Sequence, residues 1–127
     1  MAFEVIRGPG VPESALPFSP AVRAGGFVFV SGQASVDESG NIITDTFEGE
    51  LRRSFENVQK VLAAAGLDLS DVVRVTGYVA EKKYLSEYNR LYKDYFTPPF
   101  PARSTLTDCL PEGVLKFELD VIALDRT

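Results

Sequence analysis

The sequence predicts an α+β fold of two layers, a single sheet carrying two helices on one face. Three observations lead to it. The 127 residues suit one domain, taken as residues 1–127, and 45% of them are hydrophobic, enough for an ordinary globular core. Two segments repeat apolar residues at the three-four spacing of a helix, with an alternating, strand-like segment between them. Further strand-like stretches flank that pair on both sides, giving the order β-β-β-α-β-α-β-β, a six-stranded sheet that two amphipathic helices can cover on one face.

The first three strands are read within "PFSPAVRAGGFVFVSGQASVDESGNII", Pro17 to Ile43. A hairpin turns around Ala24–Gly26, and "DESGN" forms a second turn in which Gly40 and Asn41 tolerate positive φ. The first helix presents Phe47, Leu51, Phe55, Val58, Leu62 and Ala65 on one face, with Asp45 and Glu48 as a capping box and Gly66 as its stop. "DVVRVTGYVA" follows as a strand, with Val73, Val75 and Val79 on one side and Val72, Arg74, Thr76 and Tyr78 on the other. The second helix gathers Leu85, Tyr88, Tyr92 and Tyr95 on a face, Leu91 beside them, and ends at Pro98–Pro99. "PARSTLTDCLPEGVLKFELDVIALD" supplies the last two strands around a turn. In the final one Leu115, Phe117, Leu119, Val121 and Ala123 point to the helices, and Lys116, Glu118, Asp120 and Ile122 point away. Val28, Val30, Val72 and Tyr78 are expected on the face without helices. A partly apolar uncovered face favours association of subunits, although half-solvated antiparallel sheets are common.

Composition excludes several classes of function. The net charge is −5 and no basic face is discernible, which argues against a nucleic-acid partner. No apolar run approaches the roughly 18 residues that span a bilayer, so no membrane partner is expected. "MAFEVIRGPG" lacks the basic start and apolar core of a signal peptide, and a cytoplasmic protein is the expectation. The single cysteine, Cys109, cannot form an intramolecular disulfide. There is no histidine at all, which removes Ser-His-Asp and Cys-His catalysis and the usual zinc sites. No metal is expected. Chemistry falls to carboxylates, arginine, lysine, hydroxyls, backbone groups or the thiol.

Two charged residues stand out among the final strands. Arg103 offers a planar fork for a carboxylate, and Glu118 can accept a proton from water. Alternation lets Arg103 reach the same uncovered face as Glu118. If one other strand separates theirs, the gap of about 10 Å suits a substrate of a few heavy atoms. If their strands pair directly, the two form only a salt bridge. Cys109 has no histidine to activate it and reads as a small, half-buried side chain. Asn89 either contacts a substrate or caps a local hydrogen bond. Gly32, in "VSGQ", permits close approach of a ligand or another chain, or marks a bulge. One glycine makes no phosphate cradle.

Taken in order, "LPFSPAVRAGGFVFVSGQ", "SFENVQKVLAAAGLDLSDVVRVTGYV", "YNRLYKDYF", "PARST" and "FELDVIAL" resemble the RidA (YjgF-type) family of enamine and imine deaminases over nearly the whole chain. The resemblance implies a chorismate-mutase-like α+β sandwich assembled as a homotrimer, with pockets in the clefts between subunits. It implies hydrolysis of 2-aminoacrylate, 2-iminobutanoate and related imino or enamino acids to 2-keto acids and ammonia, with no cofactor. Arg103 falls on the family's carboxylate-binding arginine and Glu118 on the carboxylate that activates water. Asn89 and Gly32 match pocket-lining positions. Thr105 stands where many members have cysteine, and Phe18 where many have tyrosine, so a pocket hydroxyl is missing. Leu16 replaces a glycine and Pro20 a common polar residue. These departures make the pocket more apolar and favour larger imine side chains. Two other readings stay open: a 2-aminomuconate-type deaminase, and a non-catalytic regulatory trimer that binds a small ligand in the same cleft. The acidic charge and the absent histidine disfavour the ribonuclease activity of some relatives.

Overall fold

The computed structural model describes residues 2–127. Six strands and two α-helices follow the expected order: β1 (Glu4–Ile6), β2 (Ala21–Ala24), β3 (Phe27–Ala34), α1 (Phe47–Ala64), β4 (Val72–Val79), α2 (Leu85–Tyr92), β5 (Ala102–Thr107) and β6 (Phe117–Leu124). The strands form one sheet in the order β1-β2-β3-β6-β4-β5. Every pairing is antiparallel except β4 with β5, whose parallel register is made possible by the crossover through α2. Both helices pack on one face, where Leu51, Phe55, Leu62 and Tyr88 meet Val28, Val75, Phe117 and Leu119 in a closed core. Each such side chain, fully buried, contributes about 1.5–3 kcal/mol.

Some elements differ from the sequence reading. The third strand expected after "DESGN" is only an isolated bridge, Val36 with Ile42. Asp37 draws that turn tight, its Oδ1 accepting from the amides of Ser39 and Asn41 at 2.9 Å each, and the chain then leaves for α1. The sixth strand is instead β1, three residues that pair with β2 at the sheet's edge. The cap of α1 is Thr46, whose Oγ1 accepts from Gly49 N at 3.1 Å, and no Asp45–Glu48 box forms. Glu48 is paired with Arg52 one turn on, at 3.0 Å. The stop does fall at Gly66, which takes φ +79. Its amide reaches Ala63 O and that of Leu67 reaches Leu62 O, closing a Schellman motif.

Two bulges set which residues face the helices. In β4, Val72 pairs with Ala123 but Arg74 pairs with Ile122, so Val73 is an extra residue. Val72 is therefore buried and Val73 is 43% exposed, the reverse of strict alternation. Val28 and Val30 also face the helices, because "FVFV" is apolar at every position and carries no phase of its own. Of the four residues expected on the uncovered face, only Tyr78 lies there. Phe27 and Phe29, 37% and 41% exposed, and Leu124 supply its apolar part. Beside them, across β6, β4 and β5, runs a polar row in which Arg74 Nη2 donates to Ser104 Oγ and the Tyr78 hydroxyl donates to Asp120 Oδ2, each at 2.7 Å.

The start of β6 is fixed by a buried carboxylate. Glu50, on α1 and fully enclosed, accepts from Lys116 N at 2.8 Å, Lys116 Nζ at 3.3 Å and Asp45 N at 3.2 Å. That anchor lies two residues before Glu118. No helix among the described residues is long and apolar enough to cross a membrane.

Candidate active site

Glu118 leaves β6 on the uncovered face, opposite Tyr78 of β4 and Ala34 of β3. The register of β3 shifts between Val30 and Gln33, and this bulge brings Gly32 against the carboxylate. A Cβ at Gly32 would overlap Glu118 Oε2 and come within 3.2 Å of its Cδ. Among the described residues, no protein group donates a hydrogen bond to Glu118. Its oxygens are free to engage a water. Burial, and secondly the nearby negative charge of Asp120, push the Glu118 carboxyl above the ordinary glutamate range. Asp120 is held by Tyr78, whose own phenol is pushed up to about 12, first by that hydrogen bond and then by burial. A cavity of about 230 Å³ opens beside Glu118 and Gly32, with apolar walls from Phe18, Pro20, Val36, Ile42 and Leu115.

Arg103 lies in β5, the last strand of the sheet. Its parallel partner is Val75, and Val75 faces the helices, so Arg103 does too. There its Nη2 donates to Asn89 Oδ1 of α2 at 2.7 Å. Its Cζ stands over the rings of Tyr88 and Tyr92, 4.9 and 4.8 Å from their centroids. The Tyr88 phenol is pushed up to about 12 by burial, against the opposing charge of Arg103. A second cavity, of about 290 Å³, is lined by Asn89, Tyr92, Lys93, Phe100, Pro101 and Arg103. Thr105, two residues on, shares this side of β5 and sits opposite Gly77.

The residues singled out from sequence thus fall into two groups. Phe18, Gly32 and Glu118 line one cavity, and Asn89 and Arg103 line the other with Thr105 on the same side. The expectation that Arg103 and Glu118 share the uncovered face is corrected. One strand, β4, does separate theirs, but Val75 and Tyr78, their partners on it, face opposite ways. Nor are the two locked in a salt bridge. Cys109 is exposed, not half-buried; it follows Asp108, which takes φ 58 in the turn. Sequence reasoning placed Tyr88 and Tyr92 in the apolar face of a helix and missed that they carry Arg103. The signal available was their place on either side of Asn89, one turn apart. Among the described residues, no three His, Cys, Asp or Glu side chains gather as metal ligands would.

Residues 10–125 match the family model described as endoribonuclease L-PSP. A RutC family protein of Pyrococcus abyssi is 37% identical over 125 residues, covering 97% of this chain and 98% of its own. A 2-iminobutanoate/2-iminopropanoate deaminase of Dermatophagoides farinae is 34% identical over 103 residues, 80% of each chain. Among solved structures, E. coli TdcF with bound serine superposes with a TM-score of 0.83 at 29% identity, over 95% of this chain and 98% of that one.

Proposed function

This chain belongs to the endoribonuclease L-PSP family, the RidA (YjgF-type) group that its sequence resembles, and from that premise we propose that it hydrolyses 2-enamine and 2-imino acids of the 2-aminoacrylate and 2-iminobutanoate type to 2-keto acids and ammonia, at a site completed between copies of the chain. The observation that carries the proposal is the division just described. One face offers a carboxylate over an apolar cavity, the other a guanidinium beside a second cavity, and neither alone makes a deaminase. A short imino acid cannot touch both faces of one sheet. It can lie between Arg103 of one copy and Glu118 of the next, where unlike surfaces meet in a closed ring. Three copies in that ring give the homotrimer that the resemblance implies, and the exposed Phe27, Phe29 and Leu124 supply apolar surface for it. The serine seen in TdcF, a three-carbon amino acid, has the size such a cleft suits.

The chemistry needs few groups. Arg103 grips the substrate carboxylate with two charge-assisted hydrogen bonds and so fixes the imine carbon beside it. Glu118 takes a proton from water as the water oxygen bonds to that carbon and the C=N π pair moves to nitrogen. Glu118 hands that proton to the nitrogen, completing the carbinolamine; it then takes the hydroxyl proton as C=O forms and the C–N bond breaks, and delivers it to the departing nitrogen, which leaves as ammonia. An enamine first tautomerises to the imine. Free imines already hydrolyse, so orientation plus one acid-base group, typically ~10²–10⁴-fold, is sufficient. The apolar walls at Phe18, Pro20, Ile42 and Leu115 receive the side chain.

The direct test couples the protein to a threonine dehydratase and follows keto-acid release from the nascent imine. Wild type should accelerate it, and Arg103→Ala and Glu118→Gln should not; equal rates for all three would leave ligand binding as the better reading. Two further outcomes arise from the geometry. Gly32→Ala should cost little stability, since the overlapping atom ends a flexible side chain, but should lower kcat/KM by about tenfold or more by moving Glu118 off its water; denaturant titration beside the kinetics separates the two. Glu118 must be ionised to act. The acid limb of kcat/KM should therefore lie above glutamate's ordinary value of about 4.3. Asp120→Asn, which removes a like charge yet still accepts from Tyr78, should move that limb to lower pH. An unmoved limb would show that Asp120 does not act on Glu118.

A further inference from the structure

We propose that Tyr88 is a positioning residue for the substrate-binding arginine: its ring face, seated over the side-chain-free Gly77, holds the Arg103 guanidinium in the orientation that meets a carboxylate. The inference rests on the reading above of Arg103 as the carboxylate-binding group.

Tyr88 is wholly buried, and its hydroxyl makes no well-formed hydrogen bond among the described residues, although Thr105 and Arg103 lie close enough to ease its ionisation. A buried phenol without a well-formed hydrogen bond is unfavourable for a core. The hydroxyl therefore does not explain the residue; the ring does. The rings of Tyr88 and Tyr92 stand 5.7 Å apart at 85°, forming a two-walled corner, and the guanidinium occupies it with its carbon under 5 Å from both centroids. Asn89 takes one Nη2 hydrogen. The other donors of the fork make no bond within the chain among the described residues, so they remain available to a ligand. The corner exists because strand β4 lacks a side chain at that point. A Cβ on Gly77 would overlap the Tyr88 hydroxyl and lie 2.8 Å from its Cζ, and that buried ring has nowhere to retreat. Gly77 is also the register partner of Thr105, which places the whole arrangement directly beneath the arginine's strand.

The hypothesis separates from ordinary core packing because a cation held on a ring face responds to the ring's electron density and packing does not. Tyr88→Phe keeps the ring and should leave affinity within about twofold while maintaining or raising the melting temperature. Mono-, di- and trifluorophenylalanine at position 88 then withdraw electron density in nearly the same volume. The readouts are the Kd of 2-oxobutanoate, a keto-acid product, by calorimetry, and KM for 2-iminobutanoate. Both should weaken stepwise, reaching about tenfold at three fluorines, with melting temperatures unchanged. A flat series, or no binding of 2-oxobutanoate by the wild-type protein, overturns the proposal. A graded Kd in proteins that show no deamination would instead uphold the role of Tyr88 and remove the deaminase reading.

Discussion

Glu118→Gln is expected to lower kcat by about 10²–10⁴-fold, the usual contribution of a positioned acid-base residue. Glutamine keeps the shape of the side chain beside Gly32 but cannot take a proton from water or hand one to the departing nitrogen. No protein group among the described residues is hydrogen-bonded to Glu118, so its loss orphans nothing there. Affinity for the substrate carboxylate is set by Arg103 and should be little changed. The loss should therefore appear in kcat with KM nearly constant, the pattern of an interaction made only in the transition state. The acid limb of the pH profile should disappear with it. A variant that keeps wild-type kcat would remove Glu118 from the mechanism.

Arg103→Ala should fail differently. The substrate carboxylate carries the same charge before and during reaction, so most of what Arg103 supplies is uniform binding. Two charge-assisted hydrogen bonds at about 1.5–3 kcal/mol each would take about 10²–10⁴-fold from kcat/KM, chiefly by raising KM. Arg103→Lys keeps the charge but not the planar fork, and should fall between. Stability should drop only modestly, since the side chain lies at the edge of the sheet and gives up cation–π contacts of about 0.5–1 kcal/mol each. Initial-rate kinetics over a wide range of dehydratase flux, beside thermal unfolding, would distinguish these effects.

Much of this architecture is legible in the residues alone. The three-four spacing from Phe47 to Ala65 marks α1, the alternation of "FELDVIAL" puts Glu118 away from the helices, and Gly66 ends the helix where expected. Phase was legible only where apolar and polar residues alternate. "FVFV" and "DVVRV" do not alternate, and bulges at Ser31–Gly32 and Val73 decide their faces. The face of Arg103 was illegible for a related reason. "PARST" has no apolar pattern to orient it, and its direction follows from the parallel register with β4, a long-range fact. β1 is three residues long, too short for any periodicity to announce. The candidate residues were found by type and order, but their division between two faces, and with it the proposed need for a second copy, required the sheet.

The most direct measurement of that need is complementation. Arg103→Ala and Glu118→Gln chains, each inactive alone, are co-expressed with different tags, and mixed assemblies are isolated and verified by native mass spectrometry. If each cleft draws its guanidinium from one copy and its carboxylate from the next, every mixed trimer holds one intact cleft in three, and the isolated mixed assemblies should recover about a third of wild-type deaminase activity. Mixed assemblies no more active than the separate variants would mean that a productive site takes both groups from the same chain, and would contradict the account.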